Sequence, residues 1–303
     1  MRKLQSYSSF LSSIPLSLNE DCTAPDYKEC NITTPHLTPS SSVSFTSCTF
    51  THLTSNKNGG AICFHDKSAG SLTISECYFD TCITDSVSGG AIYVDSISSI
   101  DVQLSVFIRC KCMTSDNNDG GGGIYIINIF VKPSVSLCDF IDCYSKVDGG
   151  ALDIQNSYSQ QQNVLTVSNC RFISNSAFAG FENVGGGVCN WGNNPVVGVT
   201  NCLFSHNLAR GRAGGLFLEF TKPVSRIIRF SMFVDNKSEN NDGHDVNICS
   251  SIPDEPFFFC LSTTTITPRV DPTGNDDHWL TSANIHTQFT ASEGIQSNKG
   301  TIK

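Results

Sequence analysis

The chain of 303 residues carries 28 Asp and Glu against 19 Lys and Arg, a formal net charge of −9. That balance argues against nucleic acid or an anionic membrane surface as the main partner, because both are held by clustered cations. Charged residues are only 16%, too few for a disordered chain or a coiled coil, and no apolar run approaches the roughly 20 residues of a transmembrane segment.

Residues 1–42 are expected to be an N-terminal cap or tail. They contain Pro15, Pro25, Pro35 and Pro39 and none of the repeat described below. Met1, Arg2 and Lys3 have the charge of a signal-peptide start. The stretch from Leu4 to Leu18, however, is broken by serines and Pro15, where a signal peptide has an unbroken apolar run of about 7–15 residues.

From residue 43 to 250 one motif recurs seven times, about every 30 residues, the span of a solenoid repeat. Its first landmark is Phe50, Phe79, Phe107, Phe140, Phe172, Phe204 and Phe233. Two positions earlier stand Cys48, Cys77, Ser105, Cys138, Cys170, Cys202 and Ser231, and five earlier Phe45, Ile74, Val102, Val135, Val167, Val199 and Ile228. Three positions later stand Leu53, Cys82, Cys110, Cys143, Asn175, Asn207 and Asn236. The second landmark is a glycine corner followed by an aliphatic: GGAI at 59–62 and 89–92, GGGI at 121–124, GGAL at 149–152, GGGV at 185–188, AGGL at 213–216 and GHDV at 243–246. Two residues past each aliphatic a further side chain returns to the same face, the period of a strand.

Each repeat therefore predicts three short strands joined by corners, with no helical period. The inward columns five and two positions before the Phe are three apart, so the chain must bend between them. The expected fold is all-β: a single-stranded, right-handed parallel β-helix of seven coils, with like residues stacked about 4.8 Å apart. Insertions lengthen the coil at 111–121, 155–163 and 176–185, and residues 251–303, with Pro253, Pro256, Pro268 and Pro272, are expected to form a C-terminal cap and loose tail.

Fifteen cysteines suggest metal or disulfide chemistry, but most fall in the stacked columns, where a thiol serves as a small buried hydrophobe. Ser105 and Ser231 occupy the same slots, so size is what the position selects. In-register side chains point the same way, a poor geometry for disulfides. Cys48, Cys77, Cys138, Cys170 and Cys202, and likewise Cys82, Cys110 and Cys143, are expected to be mostly free thiols.

The alternation of GGA-aliphatic with Phe-x-x-Asn, seen in FISN at 172–175, FSHN at 204–207 and FVDN at 233–236, resembles the repeat of chlamydial polymorphic outer membrane proteins and of related surface proteins of protists. FDTC at 79–82, FIRC at 107–110 and FIDC at 140–143 replace its Asn with Cys. The resemblance covers about residues 43–250. It implies a pectin-lyase-like β-helix, displayed at a cell surface or secreted and used in adhesion, with a protein or glycan ligand.

No catalytic, cofactor or metal constellation is assigned. Outward positions on the strand after the glycines include Tyr93, Tyr125, Asp153 and Phe217, which as an exposed stack would make a flat face for sugar or protein; cap or insertion residues covering them are the competing expectation. The alternative function is a polysaccharide lyase or glycoside hydrolase. Its candidate carboxylates are Asp142 and Asp235, or Asp242 and Asp245 around His244; Asp276-Asp277-His278 comes after the repeat. A lyase also needs a basic residue beside its acidic ligands, and Arg109 is the only one in its column. The DNNDGGG stretch from Asp116 to Gly122 has the ligand types for calcium, with a polar turn as the simpler reading. Asn31 and Asn236 head glycosylation sequons, meaningful only on a secretory route; Asn236 is expected to be buried in its column.

Overall fold

The computed structural model describes residues 26–37, 42–65, 70–85, 87–114, 120–128, 134–156, 164–178, 183–192, 196–219, 228–240 and 244–249, with the short stretches 257–258, 261–262, 269–270 and 278–279. The described residues contain strands and no helix. They form a parallel β-solenoid in which equivalent strands pair from one repeat to the next, and only the last pair, Arg269–Val270 with His278–Trp279, is antiparallel. The seven expected coils are flanked by further strands. Asp26–Lys28, Asn31–Ile32 and His36–Leu37 pair ahead of the first coil, and Phe257–Phe258, Leu261–Ser262 and Arg269–Val270 pair beyond the last.

The sheets number four, not three. The first holds the column five before the Phe, and we call it the entry sheet. The second is the phenylalanine sheet, and the last follows the glycines. Between these two lies a corner sheet of two-residue strands such as Thr54–Ser55, Ile83–Thr84 and Tyr144–Ser145. It escapes a reading for apolar periodicity because its inward side chains are uniformly small: Ser55, Thr84, Cys112, Ser145, Ala177, Ala209 and Ser238, all buried.

Stacking of identical residues makes the core. Phe50 through Phe233 are fully buried, and their six successive ring pairs lie 4.5–5.0 Å apart with planes 3–11° from parallel. Each ring contributes about 1.5–3 kcal/mol by burial alone. The spacing matches the interstrand distance of about 4.8 Å, so ring contact and backbone pairing are satisfied by one register.

The bend between the entry and phenylalanine sheets is a single left-handed residue in every coil: Ser47, Glu76, Leu104, Leu137, Asn169, Asn201 and Phe230, with φ between 49° and 56°. Its N–H bonds to the coil above, as Ser47 does to the Ser75 carbonyl at 2.9 Å, so the stack continues through the corner. The glycine corner has a different cause. Gly89 is left-handed at φ +72°, and a Cβ on Gly90 would sit 2.0 Å from the Gly122 carbonyl oxygen of the next coil. No side chain fits there.

The ladder cysteines Cys48, Cys77, Cys82, Cys110, Cys138, Cys143, Cys170 and Cys202 are free and buried. Cys30, ahead of the first full coil, is disulfide-bonded. Burial pushes the Cys77, Cys170 and Cys202 thiols well above their ordinary range and Cys112 up to about 11, so they pack as neutral groups.

Candidate functional site

Strict alternation along the strands after the glycines turns Cys63, Tyr93, Tyr125, Asp153, Cys189, Phe217 and Asn247 away from the core, and these residues stack in register. Of the two expectations for this column, the covered one holds. Tyr125 is 1% exposed, Asp153 and Phe217 are fully buried, and Tyr93 is half-buried against Tyr125. An outward position is exposed only if no other segment returns over it. Here Val184 and Ala213, from the approaches to two glycine corners, close over Cys189 and Phe217 as a second small hydrophobic cluster, with Trp191 packed on its edge. Asn183 anchors this cover by donating its side-chain amide to the Lys146 and Val147 carbonyls.

Trp191 is the feature that the sequence did not single out. Its Nε1–H donates to Asp148 Oδ2 at 2.9 Å, while Asp148 Oδ1 accepts from the Val184 N–H at 2.9 Å. Its ring lies 4.8 Å from that of Phe217, tilted by 48°. The indole is thus fixed at both ends yet only half-buried. It belongs to a second outward row, one pleat beyond the buried one, that runs Asp95, Ile127, Gln155 and Trp191 in register. Glu219 extends it, since the preceding Leu218 pairs with Asn190 and so sets Glu219 beside Trp191.

Acidic groups gather under this edge. Asp148 and Asp153 are buried, and the Gln155 amide reaches Asp153 Oδ2 at 3.5 Å. Burial raises the Glu219 carboxyl above the usual range, a shift that Arg212 opposes. The Cys189 thiol is pushed well up by burial and then by the fields of Asp153, Asp148 and Glu219, so one atom senses all three carboxylates. A thiol held neutral in this way is a poor nucleophile. What the arrangement can do is attract a cation to a rigid aromatic edge. Among the described residues no three His, Cys, Asp or Glu side chains are grouped to hold a metal.

Of the carboxylates proposed from sequence, Asp142 and Asp235 do not form a pair. Asp142 and Asp235 both occupy the left-handed exit corner of the phenylalanine sheet, three coils apart. That is about 14 Å along the stack, beyond the roughly 5–9.5 Å of a glycosidase pair. Asp245 is buried and accepts from Asn236 Nδ2 at 2.8 Å, while His244 Nδ1 accepts the Ser238 N–H at 3.0 Å. Arg109 grips Asp80 with two nitrogens, at 2.6 Å from Nη2 to Oδ2 and 3.1 Å from Nε to Oδ1, and the pairing raises its pKa, which removes it as a base. Asp116–Asp119, Asp242, Asp276 and Asp277, and the side chain of His278, lie outside the described residues. Of the two sequons, Asn31 is exposed and Asn236 is buried.

No helix among the described residues is long and apolar enough to cross a membrane. No protein-family model, no curated protein and no solved structure matches the chain.

Proposed function

We propose that this chain is a non-catalytic interaction scaffold of the pectin-lyase-like class with polymorphic outer membrane protein-type repeats, working at a cell surface or in secreted form as an adhesin. Its ligand, a protein or a glycan, is met at the edge formed by Gln155, Trp191 and Glu219. The observation that carries this reading is Trp191, held by Asp148 and Phe217 while part of its surface stays open. A fixed aromatic with an open side loses little entropy on binding and is the usual centre of an interface. The experiment is antibody labelling of intact against permeabilised source cells. Labelling of intact cells supports the surface role, and signal only after permeabilisation overturns it.

The hydrolase alternative draws on one observation, the raised carboxyl of Glu219 above further carboxylates. A hydrolase needs a second carboxylate open to substrate, and Asp148 and Asp153 are 5% and 0% exposed. Release of reducing ends from a panel of neutral and acidic polysaccharides, lost in Glu219→Gln, would favour this alternative over the scaffold.

A further inference from the structure

The proposed binding edge has a charge and a shape that select among ligands. Trp191 offers the most electron-rich ring of any side chain, and it cannot swing away, because Nε1 is tied to Asp148 and the ring rests on Phe217. Glu219 stands beside it on the next strand, about 4.8 Å along the stack. Gln155 flanks it on the other side, in register with it. Ile127, one coil further and half-buried, continues the row with an apolar surface. Asp148 and Asp153 lie beneath. The field of Arg212 reaches Glu219 and only partly offsets the burial of that carboxyl.

A neutral ligand would gain nothing from this field, and an anionic one would be repelled by it. A cation over the indole is attracted by the ring and by the Glu219 carboxylate beside it. The row of Gln155, Trp191 and Glu219, about 10 Å long at about 4.8 Å per strand, also has the reach to hold an apolar stem and a charged head at once, which is the anatomy of arginine and lysine. Resting on the scaffold reading above, we infer that this edge receives an Arg or Lys side chain of a protein partner, with the charged head between Trp191 and Glu219. The guanidinium suits the geometry better than the ammonium, because it stacks on the ring and presents a planar fork to the carboxylate. Glu219 is the specificity-determining residue, and Asp148 is a positioning residue that acts through Trp191.

The test uses the full chain with Trp279→Phe, which leaves Trp191 as the one tryptophan, since the sequence has two. Its fluorescence is titrated with a short arginine-rich peptide, a lysine-rich peptide, a neutral glycine–serine peptide and a soluble neutral glucan. The expected result is a saturable change with the arginine peptide, a weaker one with the lysine peptide and none with the other two. Glu219→Gln should weaken the arginine peptide by about tenfold or more, as loss of a desolvated charge partner does. Asp142→Asn removes the same charge from an exposed corner on another sheet and should change binding by less than about twofold, because an exposed charge outside the edge is screened. Equal weakening in the two variants would mean only general attraction to an acidic chain, and would overturn the inference. So would the absence of a saturable change with either basic peptide. A saturable change with the glucan would overturn it too while leaving the scaffold reading intact, whereas the cell-labelling result bears on that reading alone.

Discussion

The first and second halves of the stack solve one problem with different chemistry. Three residues past each phenylalanine a side chain faces the backbone carbonyl of the preceding coil's phenylalanine. In the first half the donor is a thiol: Cys82, Cys110 and Cys143 lie 3.6, 3.8 and 3.6 Å from the carbonyls of Phe50, Phe79 and Phe107. In the second half it is an amide: Asn175, Asn207 and Asn236 donate to Phe140, Phe172 and Phe204 at 3.0, 2.9 and 3.0 Å. The asparagines also accept. Their Oδ1 atoms take the N–H groups of Cys143, Asn175 and Asn207 at 2.9–3.0 Å. In the cysteine half the N–H groups of Cys82 and Cys110 meet only the sulfurs of the next coil.

The difference teaches that size alone is enough to stack coils, and that hydrogen bonding adds stiffness on top. The Asn half also lies under the candidate site, since Trp191 and Glu219 follow Asn175 and Asn207 in their respective coils. A ligand edge needs a rigid support, and here the stiffer ladder supplies it. The ladder ends on Asp245, which accepts from Asn236 and closes the chain of amides with a buried carboxylate.

The comparison can be broken in order of effect. Phe140→Ala, at the junction of the halves, removes a ring packed between Phe107 and Phe172. It should cost about 3–5 kcal/mol and uncouple the two halves, seen as two urea transitions in place of one. Asn207→Ala strands the Phe172 carbonyl and the Asn175 N–H and should cost about 3 kcal/mol, whereas Cys110→Ala, which loses only the weaker sulfur contacts to the Phe79 and Ile108 carbonyls and to the Cys82 N–H, should cost about 1–2 kcal/mol. Equal costs in urea denaturation would mean that the ladders differ in name only.

Alkali should act on the cysteine half through Cys112. The Cys112 thiol is raised from 9.0 to about 11 in the fold by burial, so its contribution is complete below about pH 9 and is lost as the pH climbs toward 11. The melting temperature read by circular dichroism should therefore fall between pH 9 and pH 11, and Cys112→Ala should remove that part of the fall. The smallest effect is a gain. Asn190 interrupts the inward column between Ile154 and Leu218, is fully buried, and keeps a single bond to the Glu219 carbonyl at 3.2 Å with its Oδ1 unsatisfied. Asn190→Leu should stabilise by about 1 kcal/mol, read as a higher melting temperature.

The solenoid was legible because stacking forces each column to a single size and polarity. Phe above Phe and the glycine corners appear in the sequence as plainly as in the fold. The corner sheet was not, since two-residue strands have no period, although their run of small residues is a signal in hindsight. Nor were the left-handed corners, where Leu104, Leu137 and Phe230 stand 38%, 49% and 50% exposed in a backbone region that favours Gly and Asn. The site was least legible. Alternation told which way Asp153 and Phe217 point but not that Val184 and Ala213 cover them. Asp148 and Trp191 meet across 43 positions of sequence, a contact that no local pattern encodes.

The most direct test of the ladder account is residue-resolved hydrogen exchange on the free chain. The amides of Cys143, Asn175 and Asn207 should exchange more slowly than those of Cys82 and Cys110, by about tenfold or more, because each added 1.4 kcal/mol of local stability slows exchange tenfold. Equal protection along the column, or faster exchange in the asparagine half, would contradict it.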